Sequence, residues 1–100
     1  MTDRELLEAA AEAAGIAIEW DGDLPIPFGS AIAWNPLTDD GDALRLAVKL
    51  GIDLQFANRA TWIARETGPR AVRLDHEPHR DDPCAATRRA IVRAAAAIAG

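Results

Sequence analysis

The stretch TDDGDALRLAVKLGIDLQF, residues 38–56, contains the clearest change of hydrophobic period in the chain. Its first part places apolar residues at helical spacing behind a run of aspartates, and Gly51 follows as a helix stop. Its second part alternates apolar and polar residues from Ile52 to Phe56, as a half-buried strand does. The segment therefore predicts a helix over residues 38–50 that passes directly into a strand.

The larger apolar residues of this helix are expected to face the core. The predicted buried stripe consists of Leu44, Ala47, Val48 and Leu50 or Gly51, while Arg45 and Lys49 form a polar one. The large residues expected to be buried across the chain are Trp20, Trp34, Leu44, Val48 and Ile91.

Helices are also predicted at both ends of the chain, over residues 2–14 and 83–99. The first begins with the Thr2-x-x-Glu5 spacing of a capping box, and the second begins with an aspartate followed by proline. On the last helix Cys84 is expected to face inward. A solvated cationic face is expected on its outer side, formed by Arg88, Arg89 and Arg93.

Strand-like segments fill most of the remaining sequence. Besides the strand at 52–56 they are residues 16–20, 28–34, 60–65 and 71–75, while the proline-containing segment 24–27 is expected to be extended without forming a central strand. The element order predicts a single α+β domain over residues 1–100. We expect a mostly antiparallel sheet of about four to five strands packed with three helices in a layered α/β/α sandwich.

Composition limits the classes of function. The chain has 100 residues, a net charge of −5 and one cysteine, and it has neither a signal-peptide pattern nor an apolar run long enough to cross a bilayer. A cytoplasmic protein without membrane contact is the expectation. Residues 59–100 are basic on balance, but the acidic whole repels nucleic acid at long range, so direct nucleic-acid binding is not expected.

Two groups of residues have side chains suited to binding. His76, His79 and Cys84 are of types that hold zinc, but a second ligand cluster is missing and Pro78 prevents helical presentation of the histidines. No metal or cofactor is therefore expected, and a metal-binding protein remains an alternative.

The acidic triplet Asp39, Asp40 and Asp42 has two interpretations. The carboxylates compensate the dipole of the helix that follows, or they form an acidic face that docks on a basic surface of a partner. No calcium loop is predicted, because the glutamate that closes such a loop is absent. The sequence also has no phosphate-binding glycine loop and no nucleophile motif, so we predict no catalytic residues and no enzymatic activity.

The segment Trp34–Ile52, together with Thr2–Leu7 and Ala86–Ala96, resembles small phage and prophage proteins grouped under the name phage ABA sandwich domain. The resemblance implies a sheet between helical layers and supplies no catalytic residues. It also implies a phage context, in which small proteins often bind host machinery in the bacterial cytoplasm.

The function expected from this resemblance is the binding of a host protein or protein complex. Inhibition of a host defence complex, such as a CRISPR effector, is one activity that such a protein could have. The alternative is a homo-oligomeric structural or regulatory phage component.

Overall fold

The computed structural model describes residues 1–57, 59–67 and 70–99, with the backbone alone for residues 57, 62–67 and 70–76. Its elements follow the predicted order of helices and strands. They are α1 (Asp3–Ala14), β1 (Ile18–Asp21), β2 (Leu24–Pro27), α2 (Asp40–Leu50), β3 (Ile52–Ala57), β4 (Ala60–Thr67), β5 (Arg70–Pro78) and α3 (Pro83–Ala99). The α+β class with three helices is confirmed.

The helices begin and end at residues that are suited to capping. At α1 the Thr2 hydroxyl accepts from the Glu5 N–H at 3.1 Å, and the Glu5 carboxylate accepts from the Thr2 N–H at 3.0 Å. Asp39 and Asp82 accept first-turn N–H groups of α2 and α3. Gly51 ends α2 in the left-handed region, with φ of 65°.

The strands form two separate antiparallel sheets instead of the single larger sheet that was expected. One is the hairpin β1–β2, and the other has three strands in the order β3–β4–β5. The largest sheet therefore has fewer strands than the predicted four to five.

The prediction of a strand over residues 28–34 was wrong. The second strand is the proline-containing β2, which a two-stranded sheet tolerates because its outer side needs no N–H donors. After β2 the chain turns at Gly29, where φ is 77°, and the Ser30 hydroxyl accepts the N–H of Ile32. These turns interrupt the extended backbone that a strand would need.

The core lies around α3, which packs against α1, α2, β4 and β5. Small residues dominate it and allow close approach of the helices; on α3 the buried residues are Ala86, Ala90, Ile91, Val92, Ala94, Ala95 and Ala96. Burial of Trp34 and Ile91 is confirmed, whereas Trp20 is only half-buried and has the Arg4 guanidinium 4.2 Å from its ring centre.

The predicted buried stripe of α2 was wrong at Leu44 and Val48, whereas burial of Ala47 is confirmed. Leu44 is 59% exposed and Val48 is 74% exposed, while α2 buries Ala43, Leu46 and Ala47. The reason is steric: two alanines on the inner face let α2 lie close to the alanine-rich α3. Leu46 is buried beside these alanines, and Leu44 and Val48 remain outside.

Candidate functional site

The outer side of α2 carries two large aliphatic residues that the fold does not use. Leu44 and Val48 are four residues apart, so they lie one turn apart on the same helix face. Both are exposed, although a folded protein gains stability by burying such side chains. This face borders the first strand of the three-stranded sheet.

The strand β3 adds aromatic and aliphatic surface beside α2. Its residues alternate: Ile52 is buried and Leu54 half-buried toward the helices, while Asp53 and Gln55 are exposed on the other side. Phe56 belongs to the helix-facing set, yet it is 62% exposed. We call Leu44, Val48, Leu54 and Phe56 the α2–β3 surface.

A groove of about 300 Å³ lies within this surface, between α2, β3 and the start of α3. Leu44, Leu54, Phe56 and Ile91 supply its apolar lining, and Cys84 lies at the α3 side. Cys84 is exposed, so its expected inward position was wrong; as the second residue of α3 it precedes the part of the helix that is covered.

The polar groups at the groove are paired with one another. The Arg88 guanidinium contacts the Asp40 carboxylate at 2.6 Å and also donates from Nε to the Leu37 carbonyl at 2.9 Å. Arg88 is therefore not part of a solvated cationic face.

The other two arginines of α3 are paired as well. Arg89 contacts Asp3 of α1 at 3.0 Å, and Arg93 contacts Glu77 of β5 at 2.6 Å. The expected cationic face is instead a set of links from α3 to its neighbours, because acidic residues of other elements surround it.

A directed chain of hydrogen bonds joins β4 to α3 behind the groove. The Thr87 hydroxyl donates to the Pro83 carbonyl at 2.8 Å, so its oxygen must accept from the Thr61 hydroxyl, also at 2.8 Å. The single hydroxyl hydrogen of Thr61 is used in that bond, so the Thr61 oxygen must accept from Nε2 of His79 at 2.7 Å. The chain therefore places a hydrogen on Nε2 of His79.

The acidic triplet is brought together at the start of α2, and each carboxylate has a partner within the chain. Asp39 caps the helix by accepting from the Asp42 N–H at 2.8 Å. Asp42 accepts from the Asn35 N–H at 3.0 Å and contacts Arg45 at 2.7 Å. With Asp40 held by Arg88, the contacts account for all three residues as structural groups.

The residues considered for metal binding are only partly described. His79 and Cys84 both line the groove, whereas the side chain of His76 lies outside the described residues. Among the described side chains, no group of three or more His, Cys, Asp or Glu could hold a metal ion.

A second and larger groove, of about 830 Å³, runs between α1 and α3. Its floor is formed by Leu6 and alanines, and its charged residues include Arg89 and Arg93, which already contact acidic residues. Both of these arginines are therefore engaged in contacts within the chain.

Comparison with known proteins gives no relative: the chain matches no protein-family model, no curated protein and no solved structure. Within the described part of the chain, no helix combines the length and the apolar character needed to span a bilayer.

Sequence reasoning did not find the α2–β3 surface, because it placed Leu44 and Val48 in the core. A signal was present: Ala43 and Leu46, which the predicted stripe left out, form with Ala47 and Leu50 a second apolar stripe on the same helix. Two apolar stripes on one short helix indicate one face for the core and one for another contact.

Proposed function

We propose that this chain is a non-enzymatic protein that works by binding another protein through the α2–β3 surface. The observation that carries the proposal is the exposure of Leu44 and Phe56 at one apolar groove, with Val48 exposed one turn along α2 from Leu44. Contiguous apolar patches on a folded domain mark interaction sites, whereas single exposed apolar residues do not.

The polar groups at the groove support binding over catalysis. Arg88 is held by Asp40, and His79 donates into the chain through Thr61 and Thr87, so these groups satisfy each other. Catalytic groups are aimed at a substrate position instead. A metal-binding function remains the alternative for His79 and Cys84 with His76.

The partner expected from the resemblance to phage proteins is a host protein or complex in the bacterial cytoplasm, with inhibition of a host defence complex as one possible activity. The self-associating alternative is favoured by a separate observation, the unpaired outer edge of β3 within the described residues. Because Asp39, Asp40 and Asp42 already have structural partners, we place the contact on the apolar surface rather than on the acidic triplet.

Direct nucleic-acid binding is not part of the proposal. The arginines of α3 that could contact phosphate are all paired with acidic side chains. A phosphate would have to displace those carboxylates.

The test compares Val48→Glu with Ile32→Glu. Val48 is 74% exposed and Ile32 is 78% exposed, so the two substitutions place the same charge at equally accessible apolar positions, one on the α2–β3 surface and one outside it. Self-association of purified protein and capture of proteins from a bacterial host lysate are measured for both variants and the wild type.

We expect the wild type and Ile32→Glu to show the same association, with itself or with one host protein, and Val48→Glu to lose it. Equal behaviour of all three proteins, or no association in either assay, would overturn the proposal. Circular dichroism checks that both variants keep the fold.

A further inference from the structure

The two edge strands of the three-stranded sheet differ in the residues that prevent pairing with another chain. The edge strand β5 carries many charges and ends in a proline; its charged residues are Arg70, Arg73, Asp75 and Glu77. The edge strand β3 has one charged residue, Asp53, and no proline. Charges and prolines are the usual means by which proteins prevent edge-to-edge pairing, so β3 is the edge left open to it.

From this edge, and resting on the proposed function, we infer that the partner at the α2–β3 surface is a second copy of this chain. The two β3 strands pair antiparallel about a two-fold axis perpendicular to the sheet. Two three-stranded sheets thereby become one sheet of twice the size, and the unpaired backbone groups of both β3 edges are satisfied together.

The side chains of β3 select one register for this pairing. A two-fold axis perpendicular to the sheet keeps the helix-facing residues of both copies on one face. Directly opposed residues of an antiparallel pair share a face, so in this symmetric pair their numbers differ by an even number. The residue midway between them therefore lies opposite its own copy. With Leu54 on the axis, Ile52 lies opposite Phe56 of the second copy, and Asp53 lies opposite Gln55. Every large apolar residue then has an apolar partner, and no like charges are opposed.

The neighbouring registers are worse. With Asp53 on the axis, two carboxylates are directly opposed, which destabilises a strand pair. With Gln55 on the axis, Ile52 extends beyond the apolar residues of the second β3. The register centred on Leu54 is therefore the one that the sequence of β3 fits.

The helix α2 extends the same interface. Leu44 lines the groove together with Leu54 and Phe56, so α2 lies on the helix-facing side of β3. The two-fold axis places both α2 helices on that side, next to the joined strands. Leu44 and Val48 then lie toward the second copy, which explains why a short helix carries a second apolar stripe.

The experiment uses disulfide cross-linking across the axis, in a Cys84→Ser background that removes the exposed native thiol. Directly opposed residues of an antiparallel pair have Cα atoms about 4.5–5.5 Å apart, which falls within the range for a disulfide. Leu54→Cys is expected to form a covalent dimer when oxidised glutathione is added. Gln55→Cys, which faces Asp53 of the second copy, is the matched control and is expected to remain uncross-linked.

In a second measurement, light scattering over a concentration series gives the mass of the wild type and of Val48→Glu. Val48 is exposed, so this variant tests the interface without changing the half-buried position 54. We expect twice the protomer mass for the wild type and at least a tenfold weaker dimer for Val48→Glu. Cross-linking of Gln55→Cys but not Leu54→Cys would overturn the inferred register.

A monomer at all concentrations would overturn the inference itself. If that monomer captures a host protein and Val48→Glu does not, the proposed function stands with a different partner. If neither association occurs, the proposed function fails as well.

Discussion

A single guanidinium, that of Arg88, holds both the Leu37 carbonyl, at 2.9 Å from Nε, and the Asp40 carboxylate, at 2.6 Å from Nη1. The contact joins the first half of α3 to the start of α2, across about half of the chain. Arg88 is largely buried by it, whereas Asp40 remains mostly exposed. One arginine thus fixes the position of the helix that carries Leu44 and Val48.

Arg88→Ala is expected to destabilise the protein more than Asp40→Ala. Removing Arg88 leaves the part-buried Leu37 carbonyl without its donor, at a cost of about 1–3 kcal/mol. Removing Asp40 takes away a mostly exposed carboxylate, while the Arg88 guanidinium keeps its bond to the Leu37 carbonyl, so a smaller loss of about 0–1 kcal/mol is expected. Urea unfolding of the two variants measures the difference, and equal losses would show that the Leu37 contact contributes nothing.

The register of α2 predicts opposite results for two leucines. Leu46 is 3% exposed, so Leu46→Ala should cost about 2–5 kcal/mol, whereas Leu44→Ala removes an exposed side chain and should cost less than about 0.5 kcal/mol. Measurements are made at low protein concentration, where self-association does not contribute. A larger loss at Leu44 would restore the register first expected from the sequence.

Local sequence chemistry was enough to predict most of the secondary structure. The capping residues Thr2 and Asp82 and the stop Gly51 act on the residues beside them, and all three have the predicted roles. The period change after Gly51 likewise depends only on neighbouring residues.

What the sequence did not predict depends on contacts between distant residues. The choice between the two apolar stripes of α2 is made by the alanines of α3, and the pairing of Arg88 is made by Asp40, 48 residues away. The strand expected over 28–34 failed because the chain turns at Gly29 and Ser30, after which the Trp34 N–H bonds to the Pro25 carbonyl instead of joining a sheet ladder. Such contacts leave no periodic signal.

The buried hydroxyl of Thr61 predicts a cost for its removal. Thr61→Val keeps the shape of the side chain but leaves the Nε2–H of His79 without an acceptor and the Thr87 oxygen without a donor. The free energy of unfolding is expected to fall by about 1–3 kcal/mol. Thr61→Ser keeps the hydroxyl and should retain more stability. Thr38→Val, at an exposed hydroxyl, is the matched control, and thermal unfolding that shows equal losses at positions 61 and 38 would contradict the chain.

The capping box of α1 predicts a pH dependence. Hydrogen bonds from the backbone N–H and then the hydroxyl of Thr2 lower the pKa of Glu5 below its usual value of 4.5. Because the folded pKa is the lower one, this stabilisation is present above about pH 4.5 and is lost as the pH falls through the folded pKa. Glu5→Gln should lose less stability than the wild type between pH 5 and about pH 3, as measured by urea unfolding; parallel curves would contradict the assignment.

Amide hydrogen exchange along β3 tests the central claim, that a second protein chain covers the α2–β3 surface. In purified wild-type protein, the β3 N–H groups that point away from β4 should exchange more slowly as protein concentration rises. Val48→Glu should remove this protection, and Ile32→Glu should keep it. Exchange at β3 that is independent of concentration, and equal in all three proteins, would contradict the claim that this edge and the neighbouring face of α2 pair with a second copy.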